Sequence, residues 1–357
     1  MPSIGIVGTG AYLPENVVSN EEIAAGAGVT AGWILEKTGI ARRHRAAPHQ
    51  ATSDLAAHAA RRALAQAGLS ADQLAFVVVA TSTPDQPQPA TASIVQHLIG
   101  ATRAAAFDVN AVCSGFLYGL TIGTRLLSGD ADPAAPYGLV IGADIYSRIL
   151  DYSDRRTAVL FGDGAGAVLL GPVPAGLGIV ETALTGHGDQ HHLIGVPAGG
   201  SRAPASPQTL AAGEHFFRMD GRAVRAFVHD ELPAAVGGLL HRAGVAPAQV
   251  KHFVPHQANG VMLADVWPDL GLVGSALHLT VDRHANTGAA SVAITLDEVH
   301  RRGVVDRGDL VLLAGFGGGM NIGAALLRWA LDRPATALSR SGGRTAATAV
   351  LIDSATG

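Results

Sequence analysis

Cys113 is the only cysteine in the 357 residues. It stands in Asp108-Val109-Asn110-Ala111-Val112-Cys113-Ser114-Gly115-Phe116, where a strand-like run meets a helix-like one. A thiol in the first turn of a helix has unpaired backbone N–H groups and the positive end of the helix dipole beside it, which favours thiolate and nucleophilic chemistry. Ser114 and Gly115 leave room for a substrate. The competing reading is a buried structural cysteine, since free cysteine is among the most buried residue types. Two later segments carry polar residues at comparable junctions. Val254-Pro255-His256-Gln257-Ala258-Asn259 ends a strand-like run, and Asp282-Arg283-His284-Ala285-Asn286-Thr287-Gly288-Ala289-Ala290-Ser291 opens a helix of small residues. Taken singly, a histidine or asparagine after a strand is a turn residue or a satisfied core group as readily as a catalytic one.

The elements that would position these residues repeat along the chain. Ala67-Gly68-Leu69, then Gln73 and Phe76-Val77-Val78, return as Ala243-Gly244-Val245, Gln249 and Phe253-Val254, an offset of 176 from Ala67 to Ala243. Cys113 and Asn286 lie 173 positions apart, each opening a small-residue helix. Leu139-Val140-Ile141-Gly142 and Val311-Leu312-Leu313-Ala314-Gly315 read as buried strands, being short apolar runs bounded by glycine or charge. Strands alternate with helices in both stretches, which implies an α/β protein of two similar halves with mostly parallel sheets. Amphipathic helices are expected over residues 53–67 and 228–243, with Ser53-Asp54 as an N-cap signal. Glycine and proline place the join near residues 171–176. Residues 198–212 read as a surface loop, and residues 332–357, with little periodicity, as a frayed tail.

Four segments in register resemble the signatures of β-ketoacyl-[acyl-carrier-protein] synthase III, the ketosynthase III branch of the thiolase superfamily. They are the Cys113 segment, His256-Gln257-Ala258-Asn259, Asn286-Thr287-Gly288-Ala289-Ala290-Ser291 and Phe316-Gly317-Gly318-Gly319. The resemblance spans residues 4–329 and takes in Trp33-Ile34, Thr38-Gly39-Ile40 and Phe161-Gly162-Asp163-Gly164-Ala165-Gly166. It implies a thiolase fold, with residues 1–172 and 173–331 as two halves stacked into a five-layered α-β-α-β-α sandwich and residues 332–357 as a flexible tail. It also implies roles. Cys113 attacks an acyl thioester, and the N–H groups of Cys113 and Gly318 hold the oxyanion. His256 and Asn286 donate hydrogen bonds to the thioester oxygen of a malonyl group as carbon dioxide departs. Both can donate while neutral. Trp33 and Arg155 match positions that sandwich the adenine of coenzyme A, Lys37 stands where arginine usually meets the phosphates, and Asn259 completes this set. Each could equally be a surface residue. A homodimer is the family's expectation.

The chain departs from the family in two places. Ala226, Val261, Pro268 and Asp269 fall where basic residues would meet an acidic carrier protein, so such a carrier should bind weakly. Arg225 replaces an aromatic residue that guards the acyl pocket, and Gln88 replaces an apolar side chain contributed by the partner subunit. A buried arginine needs an anion, so Arg225 either meets a carboxylate on the acyl group or turns outward to solvent. The leading expectation is an acyltransferase that loads an acyl group from acyl-CoA onto Cys113 and condenses it decarboxylatively with a malonyl thioester, in polyketide or other specialised biosynthesis. The alternatives are acyl transfer to a hydroxyl or amine of a small molecule, with His256 as general base, and an inactive partner subunit. Biosynthetic thiolase chemistry employs a second cysteine, which is missing here.

Composition narrows the remaining classes. Hydrophobic residues make up 48% of the chain and the net charge is −4, so a large core can form and no basic field invites nucleic acid or an anionic membrane. One cysteine forbids an internal disulfide and fits a reducing, cytoplasmic setting, as does the direct start into Ile4-Gly5-Ile6-Val7 without a positive, apolar leader. The most apolar window, residues 310–327, holds five glycines and Asn321, which suits a buried strand and turn better than a membrane span. Gly8-Thr9-Gly10 lacks the third glycine of a dinucleotide fingerprint, Leu13 standing there. His187, His191, His192 and Asp189 have no regular metal-ligand spacing. No metal and no tightly bound cofactor is expected, only acyl-CoA as substrate.

Overall fold

The computed structural model describes residues 3–129 and 132–334. Most of residues 332–357, the expected tail, lies outside them. Near-continuous apolar runs form two five-stranded sheets, and two short two-stranded ribbons lie outside them. The first sheet contains β1 (Ser3–Tyr12), β2 (Leu74–Ala80), β3 (Ala105–Val109), β4 (Tyr137–Asp144) and β5 (Gly164–Val173). The second contains β6 (Gly178–Gly186), β7 (His252–Pro255), β8 (Ala276–Leu277), β9 (Leu310–Gly317) and β10 (Asn321–Arg328). Their orders are β1-β5-β4-β2-β3 and β6-β10-β9-β7-β8, which is one topology used twice. In each sheet the third and fourth strands in that order are parallel, and the outer two pairings on the β1 or β6 side are antiparallel. On this repetition we propose the division into residues 1–172 and 173–331, except that β5 runs on through Val173, which moves the join to residues 174–177.

Four helices complete the layers: α1 (Thr52–Ala67), α2 (Gly115–Leu127), α3 (Gly221–Ala243) and α4 (Ser291–Arg301). The strand pleat sends alternate residues to opposite faces, so each sheet is apolar on both. Val77 and Val79 of β2 meet Leu55, Ala56 and Ala60 of α1, whereas Phe76 and Val78 face Phe116, Leu117 and Leu120 of α2. In the second sheet Leu312 and Phe316 face Phe227 and Leu239 of α3, whereas Val311 and Leu313 join Val292 and Leu296 of α4. The helices α2 and α4 therefore form a central layer between the sheets, with α1 and α3 outside. No helix among the described residues is long and apolar enough to cross a membrane.

Helix boundaries differ from the expected ones for local reasons. Ala51, not Ser53, sits at the N-cap of α1, and the Asp54 carboxylate accepts from the Ala51 N–H at 2.8 Å. Ser53 instead gives its N–H and hydroxyl to Asp85. The helix α3 begins seven residues before residue 228 because Asp220 caps it, accepting from the N–H groups of Arg222 and Ala223. Within residues 198–212, otherwise irregular, Ser206 caps one helical turn, Pro207–Ala211.

The central layer is tight enough that side chains are excluded at its contacts. A Cβ at Gly142 of β4 would collide with the carbonyl oxygen of Ala289, and one at Gly166 of β5 with the backbone of Ile294 in α4. Gly142→Ala is expected to cost about 1–3 kcal/mol through forced displacement in a packed core. Gly188→Ala, with nothing within 4 Å of the added atom, should stay near wild type. Chemical denaturation of the two variants checks this.

Candidate active site

Each half of the chain bends sharply just before its functional residue. Val112 has φ 47° and Ala285 has φ 58°, the left-handed region that L-residues avoid and that a β-branched residue enters only under strain. These positions are 173 apart, as are Cys113 and Asn286 after them. Cys113 then sits in a single 3-10 turn, Val112–Ser114, leading into α2, and a matching turn, Gly288–Ala290, leads into α4. His256 follows β7, its backbone N–H bonded to Ala314 of β9 at 2.7 Å.

The second sheet brings these pieces together. A Cβ at Gly317 would lie 2.7 Å from the Cys113 nitrogen, and one at Gly318 would lie 3.1 Å from Val112, so the glycine run packs directly on the nucleophile's turn. The Phe316 ring meets the His256 ring edge-on at 5.1 Å. Ser291, the first residue of α4, places its hydroxyl 2.7 Å from His256 Nδ1. That hydroxyl oxygen also accepts the Gln257 N–H and keeps a proton to give to Nδ1; in that tautomer the hydrogen of the neutral ring stands on Nε2. Asn286 uses its Oδ1 to accept the Gly288 N–H at 2.9 Å, which leaves its Nδ2 free to donate. Histidine and asparagine thus each have their accepting atom occupied within the protein and a donor left over.

Burial sets the charges. His256 is 1% exposed, and burial lowers its pKa to about 3, so the ring is neutral throughout the physiological range. Cys113 is buried too, and this overturns the expectation of a resting thiolate. Burial first, then the charge of Asp144, pushes the Cys113 thiol far above its usual range, outweighing the helix N-terminus. Asp144, at the end of β4, is fully buried without a cation. Its oxygens accept from the hydroxyls of Thr81, Ser82 and Thr83, the N–H groups of Ser82 and Thr83, and the Ala289 N–H. The Tyr146 hydroxyl lies 2.9 Å from the Ser82 hydroxyl. Its ring stacks on Phe161 at 4.3 Å and meets the edge of Phe217 at 5.5 Å.

A cavity of about 1620 Å³ reaches Asn286 and is lined by Trp33, Lys37, Arg155, Asn259 and Arg225 among others. Further cations, Arg156, Arg218 and Arg222, line it as well. Trp33 is half-buried and Arg155 exposed. Lys37 pairs with Glu36 at 2.7 Å, and Asn259 has both polar atoms engaged, capping the helix Gly260–Val266 and donating to the Lys37 carbonyl. Arg225 is exposed and pairs with Asp265, so the premise of a buried arginine fails and the outward alternative holds. Gln88 is exposed and is not part of the cavity lining in this chain. Sequence reading missed Asp144, Tyr146 and Ser82. An acid closing a wholly apolar strand, Leu139 through Asp144, was the available signal.

Two half-repeats with a buried cysteine opening one central helix and a histidine–asparagine pair on the other half define a condensing enzyme of the thiolase superfamily. Residues 107–188 match the family 3-oxoacyl-[acyl-carrier-protein] synthase III, and residues 240–329 match the C-terminal part of the same family. The chain is 55% identical over 328 residues to the acetoacetyl CoA synthase NphT7 of Streptomyces sp. strain CL190, covering 91% of this chain and 98% of that one. Among solved structures it matches 3-oxoacyl-(acyl carrier protein) synthase III, FabH, from Pseudomonas aeruginosa PAO1, with TM-score 0.84, 38% identity, and 92% and 99% of the two chains covered. The priming β-ketosynthase from a polyketide biosynthetic pathway gives TM-score 0.85 at 30% identity, with 93% and 98% covered. The chain belongs to the ketosynthase III family and is an acyltransferase of that type, loading an acyl group and condensing it with a malonyl thioester.

The depressed His256 pKa has a consequence for stability. A histidine near 6.5 when unfolded and near 3 when folded takes up a proton on unfolding below pH 6.5. Its contribution is full above that pH and is lost as pH falls toward 3. Between pH 7 and pH 5 this amounts to about 2 kcal/mol. Denaturant unfolding at the two pH values should show wild type losing more stability than His256→Gln by about that amount.

Proposed function

We propose that the protein condenses a short acyl-CoA with malonyl-CoA, releasing carbon dioxide and giving a 3-oxoacyl-CoA. Cys113 attacks the acyl carbonyl, the oxyanion is held by the N–H groups of Cys113 and Gly318, and the thiol's proton ends on the departing coenzyme A sulfur. Malonyl-CoA then enters the cavity with Trp33 and Arg155 on its adenine and Lys37, with the neighbouring arginines, near its phosphates. His256 Nε2 and Asn286 Nδ2 donate to its thioester oxygen. As the bond to the carboxylate breaks, its electron pair becomes the enolate, whose carbon attacks the acyl-cysteine, and collapse expels the Cys113 thiolate.

The observation that carries this reading is the pair of neutral donors whose accepting atoms are already occupied. Fixed donors in a dry site stabilise a developing enolate without reorganising. Two further features support coenzyme A over a carrier protein. The surface bearing Ala226, Val261, Pro268 and Asp269 is exposed and also carries Asp230 and Asp265, which would repel an acidic carrier. The cavity mouth, by contrast, is rich in arginine. Tyr146, Phe161 and Phe217 pack their three rings together, and Phe161 is bridged to Asn286, so aromatic bulk stands next to the donor pair, which favours a short acyl group. The reading is completed by a homodimer in a reducing, cytoplasmic setting, where a lone free thiol is maintained.

Intact mass after exposure to acyl-CoA donors of increasing length, followed by malonyl-CoA and measurement of carbon dioxide, tests it. Short donors should acylate the wild type, and Cys113→Ala should not be acylated at all. Asn286→Ala is expected to accept the acyl group normally yet lose about 10²–10³ in decarboxylation. Malonyl-CoA should outperform malonyl-carrier protein as the second substrate. Acylation without malonyl-dependent carbon dioxide release would replace condensation with simple acyl transfer.

A further inference from the structure

His256 and Asn286 must donate to one oxygen, yet they stand on separate segments of the second half. His256 follows β7 directly, whereas Asn286 is reached through β8, His278, Thr280 and the short helix Val281–His284. A shared acceptor tolerates little misplacement of either donor. Gln257 lies between the two segments. Its side chain is 1% exposed, and its amide is saturated with hydrogen bonds. Nε2 donates to the carbonyls of Pro255 at 2.8 Å and His278 at 3.2 Å, while Oε1 accepts the N–H groups of Thr280 at 2.8 Å and Val281 at 3.1 Å. The opposite amide orientation would set N–H against N–H and oxygen against oxygen, so the network fixes which end is which.

Both donors are reached from this amide by short links. On one side, the Gln257 N–H and His256 Nδ1 meet the same Ser291 hydroxyl. On the other, the Val281 carbonyl accepts the Ala285 N–H at 3.0 Å, and the Thr280 carbonyl accepts those of Arg283 and His284, so the turn that Gln257 holds is closed on the residue before Asn286. The first half fixes Asn286 from the far side, where its N–H goes to Leu160 at 2.9 Å and its carbonyl accepts from Gly162 at 3.0 Å. Leu160 and Gly162 thus set Asn286 against the first half, and Gln257 sets it against His256.

We propose that Gln257 is a positioning residue for decarboxylation, its side-chain amide setting the separation of the His256 and Asn286 donors, a role that rests on the condensation proposed above. A buried amide with every bond satisfied rigidifies what it joins, which an apolar side chain of the same size would not do. Gln257 is no part of the cavity lining, and its side-chain hydrogen bonds stay within residues 255–281, away from the Cys113 turn. Acyl loading is therefore independent of it.

Measuring the two half-reactions separately in the full chain tests this. Gln257→Met keeps the length of the side chain and removes its strong donor and acceptor. Acylation of Cys113 by a short acyl-CoA, followed by intact mass, should run at the wild-type rate. The kcat for carbon dioxide release from malonyl-CoA should fall about 10²-fold, with KM changed less than about threefold because the lost stabilisation belongs to the transition state. Gln257→Glu keeps the acceptor for Thr280 and Val281 and, buried against two carbonyl oxygens, takes up a proton that restores one donor. It should release carbon dioxide about tenfold faster than the methionine variant, and it carries the test where that variant fails to fold. In Asn286→Ala no pair remains to be aligned, so adding Gln257→Met should slow release by no more than about threefold.

Equal losses in loading and decarboxylation, a double variant as slow as the product of the singles, or unchanged release in Gln257→Met would each overturn the positioning role. Hydrogen–deuterium exchange supplies a readout that needs no turnover: amides of residues 280–286 should exchange faster in Gln257→Met than in wild type. A wild-type protein that loads acyl groups yet releases no carbon dioxide removes the proposed function, and exchange then decides alone. Faster exchange confined to residues 280–286 sustains Gln257 as the residue that fixes Asn286, and unchanged exchange there overturns it.

Discussion

The active site exists only because backbone meets backbone where the halves of the chain touch. Cys113 belongs to the first half and His256 and Asn286 to the second, so no local segment can assemble them. Three glycines set the approach. Gly142 lets β4 reach Ala289, Gly288 makes room for Asp144 and Tyr146, and Gly317 brings β9 against the Cys113 nitrogen. A methyl group at any of these positions would force the central layer apart, and the cost would be paid in catalytic geometry as well as in packing. The strained turns at Val112 and Ala285 belong to the same constraint, because each sits just ahead of the functional residue that leads into a central-layer helix.

This dryness governs the chemistry. Removing water strengthens every fixed donor, which suits the stabilisation of an enolate, but it also disfavours the thiolate that begins the reaction. The two demands are separated by residue type. Neutral histidine and asparagine lose little from burial and keep their donors. The one group that must become an anion, Cys113, bears the full cost, increased by the uncompensated charge of Asp144. An exposed nucleophile would be more reactive and less selective, open to oxidation and to hydrolysis of its acyl form.

Much of this was legible in the sequence. Four short motifs in register identified the family, and the repeat at 173–176 positions matched the duplicated sheet order. What escaped notice depended on long-range burial. Nothing in Gly142-Ala143-Asp144-Ile145-Tyr146 announces that Asp144 will be enclosed by residues 81–83 and Ala289. The thiol's protonation could not be judged from a helix N-terminus alone, since the opposing desolvation is a property of the whole central layer. The choice between the two alternatives for Arg225 could not be made from sequence, because its partner, Asp265, lies forty residues on in a separate helix. The early start of α3 was missed because its first turns carry Arg222 and Arg225 on a cavity wall, interrupting the apolar stripe that periodicity follows.

The same helix bears on the proposed preference for coenzyme A over a carrier protein. One face of α3 lines the cavity with Arg222 and Arg225, and its neighbouring exposed surface combines Ala226 and Asp230 with Asp265 and Asp269. Positive potential is thus gathered inside the mouth and withheld from the rim. A carrier protein needs the rim, since its charges are spread over a docking face, whereas coenzyme A concentrates its charge on phosphates that enter the channel. Moving a few charges from rim to interior would change which thioester is drawn in while leaving Cys113, His256 and Asn286 untouched, because steering acts before the substrate reaches any of them.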